Sequence, residues 1–247
     1  MATPYDTIHL AQVESTQDVA RREFAARDTV LVVADRQVGG RGRSGREWWE
    51  APRAMYSSLA VAPDWAPESW SVIPLMAGLA VRSALSDEFG ISIGLKWPND
   101  LLIGDAKVGG ILVEASSDLV VVGCGVNLWW PDPPAGVAAA ATQDPGDESG
   151  ALVATQWVEG LLARLADGPG RWGLDEYRTA CLTLGEAIEW SASPDVVREG
   201  RAVDVGAAGE LLVDTAEGRV ALRSGEVRHV RTATLPADAG SAEGDQL

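Results

Sequence analysis

Apolar and polar positions along the chain change period several times, and each change predicts an element. Ser15 reads as an N-cap with Asp18 three residues on as a capping-box acid, which starts a helix running to about residue 26. The run 29–35 is apolar, β-branched and too short for a helix, so it predicts a buried strand. Residues 55–62 alternate until Pro63 stops them, giving a second strand, and 70–89 carries apolar residues at helical spacing up to Gly90. Four strand-like runs follow at 91–97, 101–103, 108–114 and 119–126, with the polar turn Gly104-Asp105-Ala106 between the middle pair, which predicts an antiparallel meander. The stretch 131–150, rich in Pro, Gly, Ala and Asp, predicts a long surface loop; helical patterns return at 151–166 and 174–182.

The period changes again after Gly185. Short apolar runs at 187–190, 202–205, 211–213, 219–222 and 227–230 alternate with glycine-containing turns, which predicts a small β-barrel. Residues 236–247 carry almost no apolar content and predict a disordered tail. The expected architecture is therefore α+β: a main domain over 1–184, a small β domain over 185–235, and the tail.

Composition narrows the function. Of 247 residues, 46% are hydrophobic and 23% charged, as in ordinary globular proteins, and the formal net charge of −16 argues against a general nucleic-acid binder. Cys124 and Cys181 are too few for a disulfide framework, match no zinc spacing, and read as packing residues. No basic-then-apolar leader opens the chain and no apolar run approaches about eighteen residues, so the expectation is a cytoplasmic protein with no membrane partner.

Against that acidic background, Gly40-Arg41-Gly42-Arg43-Ser44-Gly45-Arg46 sets three guanidinium groups on a glycine-rich loop. Glycines let the backbone close around a ligand, and each Arg offers a planar fork for carboxylate or phosphate oxygens, so the loop suits an anion that relieves the arginines' repulsion. Gly40, Gly42 and Gly45 formally match a dinucleotide-binding fingerprint, but Glu47-Trp48-Trp49 and Pro52 follow where a helix should open; a P-loop is excluded because Arg46-Glu47 replaces Lys and Ser or Thr. A plain exposed arginine loop remains open on composition alone.

Two further stretches carry chemistry. Lys96-Trp97-Pro98-Asn99-Asp100 is followed by Lys107-Val108-Gly109-Gly110-Ile111-Leu112-Val113-Glu114. Lys107 alone could be a solvated edge charge, but paired glycines inside a strand mark a bulge or the close approach of a ligand. Gly123-Cys124-Gly125-Val126-Asn127 ends a strand with an amide that both donates and accepts, or is a plain strand exit.

In this order, with Glu14-Ser15-Thr16 and Gln37 ahead of them, these motifs resemble the biotin protein ligase family from about residue 5 to 235. The resemblance implies a class II synthetase-like mixed sheet with packed helices and a small C-terminal SH3-like β-barrel. It also implies that biotin and MgATP form biotinyl-5′-AMP, and that a lysine of a biotin carboxyl carrier domain then displaces AMP. Carried over residue by residue, it places Lys107, Arg43 and Asp100 at the catalytic step, with Asp100 either orienting the incoming amine or anchoring Lys107 or Arg43. Ser15, Thr16, Gln37, Arg41 and Gly110 fall on biotin; Arg41, Arg43, Arg46, Trp48, Lys107 and Asn127 fall on the nucleotide. Mg²⁺ would share the phosphates' charge, with no protein metal ligands assigned. The arginine loop would order as a lid over the adenylate. Family members that repress transcription add an N-terminal DNA-binding domain, for which this chain leaves no room, so no DNA partner is expected.

Two rivals share these motifs in part. A lipoate or other acyl-carrier ligase would run the same adenylate chemistry on another acid, and a non-catalytic biotin or nucleotide sensor would keep only the binding face. The intact arginine loop and the barrel-like end favour biotin, and Lys107, Asp100 and the arginines together favour catalysis. Strands near 111–116 could pair across a homodimer. Most of the ten tryptophans read as core or barrel residues, while Trp129 and Trp130 have no assigned role.

Overall fold

A computed structural model describes residues 4–40, 42, 48, 50–116, 118–193, 196–223 and 227–229. The predicted tail at 236–247 and the arginine side chains of the loop lie outside them. The main sheet is built from β1 (Asp6–Leu10), β2 (Val30–Ala34), β3 (Arg53–Val61), β4 (Gly94–Lys96), β5 (Asp100–Ile103), β6 (Ala106–Ala115) and β7 (Val120–Trp129). Their spatial order is β1-β2-β3-β7-β6-β5-β4. Only β1 and β2 run parallel, and every other neighbouring pair is antiparallel, so the sheet is mixed.

Helices cover the two faces unequally. On one face, α2 (Ile73–Phe89) and α3 (Ser149–Asp167) bury Met55, Leu59, Leu101, Val122 and Trp157 in the principal core. α2 is apolar nearly all round because it is sandwiched between the sheet and α3, and Gly90 ends it in the left-handed conformation, φ 65°. On the other face, α1 (Thr16–Arg27) packs over β2 and β3 with Val19, Ala20, Val30 and Val32. Its N-cap is Ser15, in extended conformation, whose hydroxyl accepts from the Asp18 backbone N–H at 3.5 Å. Beyond α1, that face carries the glycines Gly110, Gly123 and Gly125 of β6 and β7.

β1 is the element the pattern does not predict. It is an edge strand whose residues are exposed or half-buried throughout, so burial never imposes the alternation that marks a strand. The stretch 131–148 is irregular as expected, yet it is not a free surface loop. Single bridges join Val137 to Lys107 and Ala141 to Trp129, laying its middle along the ends of β6 and β7. Among the described residues, no helix is long and apolar enough to cross a membrane.

The C-terminal strands correct the expected barrel. β8 (Ala187–Ser193), β9 (Val196–Val205), β10 (Leu211–Thr215), β11 (Gly218–Leu222) and β12 (Val227–His229) form an antiparallel sheet of order β11-β10-β9-β8-β12. Among the described residues β11 and β12 are its two edges and do not pair, so the sheet is open and no SH3-like barrel closes. Alternating runs and glycine turns specify strands and their neighbours; closure depends on tilt and stagger, which they do not encode. β9 is also far longer than the predicted 202–205, because its first half is exposed and shows no apolar face.

This sheet is joined to the main body by directional contacts. Three successive carbonyls in the β9–β10 turn accept side-chain hydrogen bonds: Ala207 from the Trp172 indole at 2.9 Å, Ala208 from the Ser71 hydroxyl at 2.8 Å, and Gly209 from the Trp97 indole at 2.9 Å. From α4 (Leu174–Ala180), Arg178 grips Asp204 through both carboxylate oxygens, at 2.7 and 2.9 Å.

Candidate active site

The site face is set by strand alternation. Gly110 of β6, Gly125 of β7, Tyr56 of β3 and Ala34 of β2 stand opposite one another in one row, and Leu112, Gly123, Ser58 and Val32 form the next. The glycines leave a shelf, and the Trp48 indole lies on it: a Cβ at Gly110 would stand 3.3 Å from its Cζ3, and one at Gly125 3.2 Å from its Cε2. The Trp48 N–H donates to the Gly40 carbonyl at 3.3 Å, which returns the chain to the shelf after the arginine loop. The indole Nε1 is buried and without a protein partner.

Lys107 reaches this face through a bulge. Asp100 pairs with Gly110 and Leu101 with Gly109, but Leu102 pairs with Lys107, so Val108 is an extra residue on β6. Regular alternation would point residue 107 to the core side with Gly109 and Ile111. Instead Val108 is fully buried there, and the Lys107 ammonium donates to Asp100 Oδ1 at 2.6 Å and lies 5.6 Å from the Trp48 ring centroid. The Lys107 side chain remains 40% exposed, so the amine is held on one side and open on the other. Such a cation can receive an anion laid along the shelf.

At the far end of the shelf, the α1 N-terminus supplies a polar network. Thr16 donates from both its backbone N–H, at 2.8 Å, and its hydroxyl, at 3.0 Å, to Gln37 Oε1. The Thr16 and Ser58 hydroxyls lie 2.8 Å apart. Gln17 spans the gap above Gly123 and donates to the Leu112 carbonyl at 3.2 Å. Ser15, Thr16, Gln17 and Ser58 are all buried, which suits a few fixed hydrogen bonds in a largely apolar pocket.

Asn127, at the end of β7, is buried and donates to the Ala138 carbonyl at 3.0 Å, while its Oδ1 has no protein partner. A buried acceptor without a donor is costly, so this oxygen is a ready point for a ligand N–H. The Tyr56 hydroxyl is likewise buried and unpartnered, and burial raises its pKa.

The structure thus brings Lys107, Asp100, Gly110 and Trp48 together, gathers Ser15, Thr16 and Gln37 at one end, and sets Asn127 beyond the β7 end of the shelf. Arg41, Arg43 and Arg46 lie outside the described residues. Sequence reasoning passed over Tyr56, Ser58 and Gln17. The first two stand on the site face of β3, and the available signal was the polar run Tyr56-Ser57-Ser58 inside an otherwise apolar, buried strand. Cys124 and Cys181 are buried free thiols whose pKa values burial raises, as expected of packing residues. Among the described residues, no group of three or more His, Cys, Asp or Glu side chains could hold a metal ion.

Comparison with known proteins places this geometry. Residues 10–127 match the biotin/lipoate A/B protein ligase family. The chain is 31% identical over 242 residues to the biotin--[acetyl-CoA-carboxylase] ligase of Mycobacterium tuberculosis, covering 90% of this chain and 88% of that one. It is 31% identical over 239 residues to the corresponding ligase of Paracoccus denitrificans, covering 88% and 98%. The biotin protein ligase from Aquifex aeolicus, solved in complex with biotin and ATP, superposes with a TM-score of 0.77 at 29% identity, over 92% of this chain and 99% of that chain. With these relatives matched nearly end to end, the chain belongs to the biotin protein ligases of the biotin/lipoate A/B protein ligase family.

Proposed function

We infer that this chain activates biotin with ATP and transfers it to a lysine of a biotin carboxyl carrier domain. The observation that carries the reading is the Lys107 amine, turned by the β6 bulge onto a glycine shelf and steadied by Asp100, in a chain aligned over most of its length with biotin ligases. In the first step a biotin carboxylate oxygen attacks the α-phosphorus and the bond to the β-phosphate breaks, giving biotinyl-5′-AMP and pyrophosphate. In the second, the carrier lysine's amine attacks the acyl carbon, AMP leaves, and the amine loses a proton.

The first step joins two anions, so its barrier is largely electrostatic. In this reading Lys107 bridges the biotin carboxylate and the α-phosphate, and Arg41, Arg43 and Arg46 gather the remaining phosphate oxygens. Mg²⁺ arrives as part of the nucleotide substrate. Ser15, Thr16 and Gln37 take the ureido head at the α1 end, Gly110 and Gly125 leave room for the ring system, and Trp48 covers it. The open Asn127 Oδ1 faces an adenine N–H. Asp100, paired with Lys107 at 2.6 Å, acts as its anchor.

Mass spectrometry of a carrier domain incubated with this protein, biotin and MgATP tests the reading. The expected result is a gain of one biotin. A carrier that stays unmodified with biotin, or gains lipoate instead, overturns it.

A further inference from the structure

Between β7 and α3, residues 136–141 are bound to the site by backbone contacts at two places. The Lys107 N–H donates to the Gly136 carbonyl at 2.8 Å, and the Ala138 N–H donates to the Lys107 carbonyl at 2.8 Å. The Ala140 and Ala141 N–H groups donate to the Asn127 and Leu128 carbonyls at 2.9 and 2.8 Å, beside the Asn127 amide's own bond to Ala138. One short stretch therefore sets the backbone of Lys107 and both the backbone and side chain of Asn127. Its own anchorage is thin, because Ala140 is its only buried residue.

The far end of this segment is gripped by a cation. Arg53, the first residue of β3, holds Asp144 through both carboxylate oxygens, at 3.0 Å each, and a third donor reaches Asp147. The Asp144 carboxylate also accepts the Gly146 N–H at 3.0 Å, and the Ser149 hydroxyl closes the turn onto the Gly146 carbonyl at 2.7 Å. Arg53 is itself paired with Trp129, the last residue of β7, at a register shift. One residue thus touches the strand from which the segment departs and the turn at which it ends. Its side chain is only 26% exposed, and bidentate geometry with a second acceptor makes this the kind of partly shielded network that contributes more than an isolated surface pair.

We propose that Arg53 is a positioning residue for the nucleotide step: by clasping Asp144 and Asp147 it holds residues 136–141 in the register that fixes Lys107 and Asn127. It touches neither biotin nor nucleotide in the ligase reading, on which this inference rests. Its effect should fall on ATP and largely spare biotin, whose ureido partners Ser15, Thr16 and Gln37 lie at the opposite end of the shelf.

The test uses the full chain with Arg53→Ala, Arg53→Lys, Asp144→Asn and the double variant Arg53→Ala/Asp144→Asn. In biotin-dependent pyrophosphate release, Arg53→Ala should raise KM for ATP about fivefold, the size expected for a partly shielded bidentate pair. Calorimetric biotin affinity without ATP should stay within about twofold, the scale of changes at distant independent sites. Arg53→Lys should recover part of the loss, and the double variant should be no worse than Arg53→Ala. An unchanged KM for ATP in Arg53→Ala, whatever happens to its melting temperature, reduces the clasp to a stability device and overturns the proposal; so does an equal loss of biotin affinity. Amide hydrogen exchange separates this from failure of the ligase reading. If the parent protein releases no pyrophosphate, that reading falls, while faster exchange at Lys107, Ala138 and Ala140 in Arg53→Ala, with Val122 unaffected, still supports the clasp. Unchanged exchange at those three amides overturns it.

Discussion

The indole N–H of Trp97 donates to the Gly209 carbonyl across 2.9 Å, fastening the Lys-Trp-Pro-Asn-Asp stretch to a turn more than a hundred residues away. Trp97 is buried, and its backbone N–H also donates to the Thr183 hydroxyl at 3.0 Å. The strand pair that carries Asp100 and Lys107 is therefore held by the C-terminal sheet as well as by its own meander.

Replacing Trp97 by Phe should leave the Gly209 carbonyl without its donor and lower unfolding stability by about 1–3 kcal/mol, read from urea denaturation. Gly209→Ala attacks the same joint from the other side. Its φ is +81° and an added Cβ would meet Leu75 Cδ1 at 2.7 Å, so the combined strain should also cost about 1–3 kcal/mol. Parental stability in both variants would show that the joint contributes nothing.

Lys107→Ala should abolish pyrophosphate release while the melting temperature stays near the parental value, since the amine is partly exposed and carries no core packing. Release at the parental rate removes Lys107 from the mechanism. Asp100→Asn keeps the shape but loses the charged partner, and should lower the adenylation kcat by about tenfold, the lower end for a hydrogen bond to an ion.

Gly110→Ala tests the shelf. The new methyl would press on Trp48 at 3.3 Å, so the indole must shift, and KM for biotin should rise with a change in tryptophan fluorescence. If neither moves, the shelf does not receive the ligand.

The Arg53 clasp also predicts an acid dependence. Hydrogen bonds from the Arg53 guanidinium and then the Gly146 N–H hold the Asp144 carboxyl below its ordinary value of 3.8. A lowered carboxyl pKa contributes stability above the ordinary value and loses it as pH falls through the lowered one. The stability gap between the parent and Arg53→Ala should accordingly be full near neutrality and fade below pH 3.8. A gap that persists undiminished in stronger acid would assign it to packing by the Arg53 stem.

Where burial imposes a period, the sequence is readable. β2 is buried at every position, and α1 starts directly after its Ser15 cap. β1 is exposed or half-buried and the first half of β9 is exposed, so burial imposes no alternation that would mark them as strands. The expected barrel failed for a different reason: strand content was right, but closure is a geometric property of the whole sheet. At the site, Lys107 and Asp100 were readable as residue types in a recurring order. That they meet was not, because their contact depends on one extra residue at Val108. The grip of residues 136–141 on Asn127 was equally hidden, since a loop rich in alanine and glycine carries no sign of what it lies against.

The β6 bulge makes the side of the sheet on which the lysine stands a property of pairing rather than of sequence. Were the strand to run regularly from residue 107 to Gly109, with Val108 taking its own partner, the amine would turn toward Leu101 and Ile111. Deleting Val108 would instead remove the surplus and leave the lysine opposite Leu102, still on the site face. The same motif residues therefore make a working or a broken site according to whether the surplus residue is folded out, and for this strand register discriminates the two better than residue identity does.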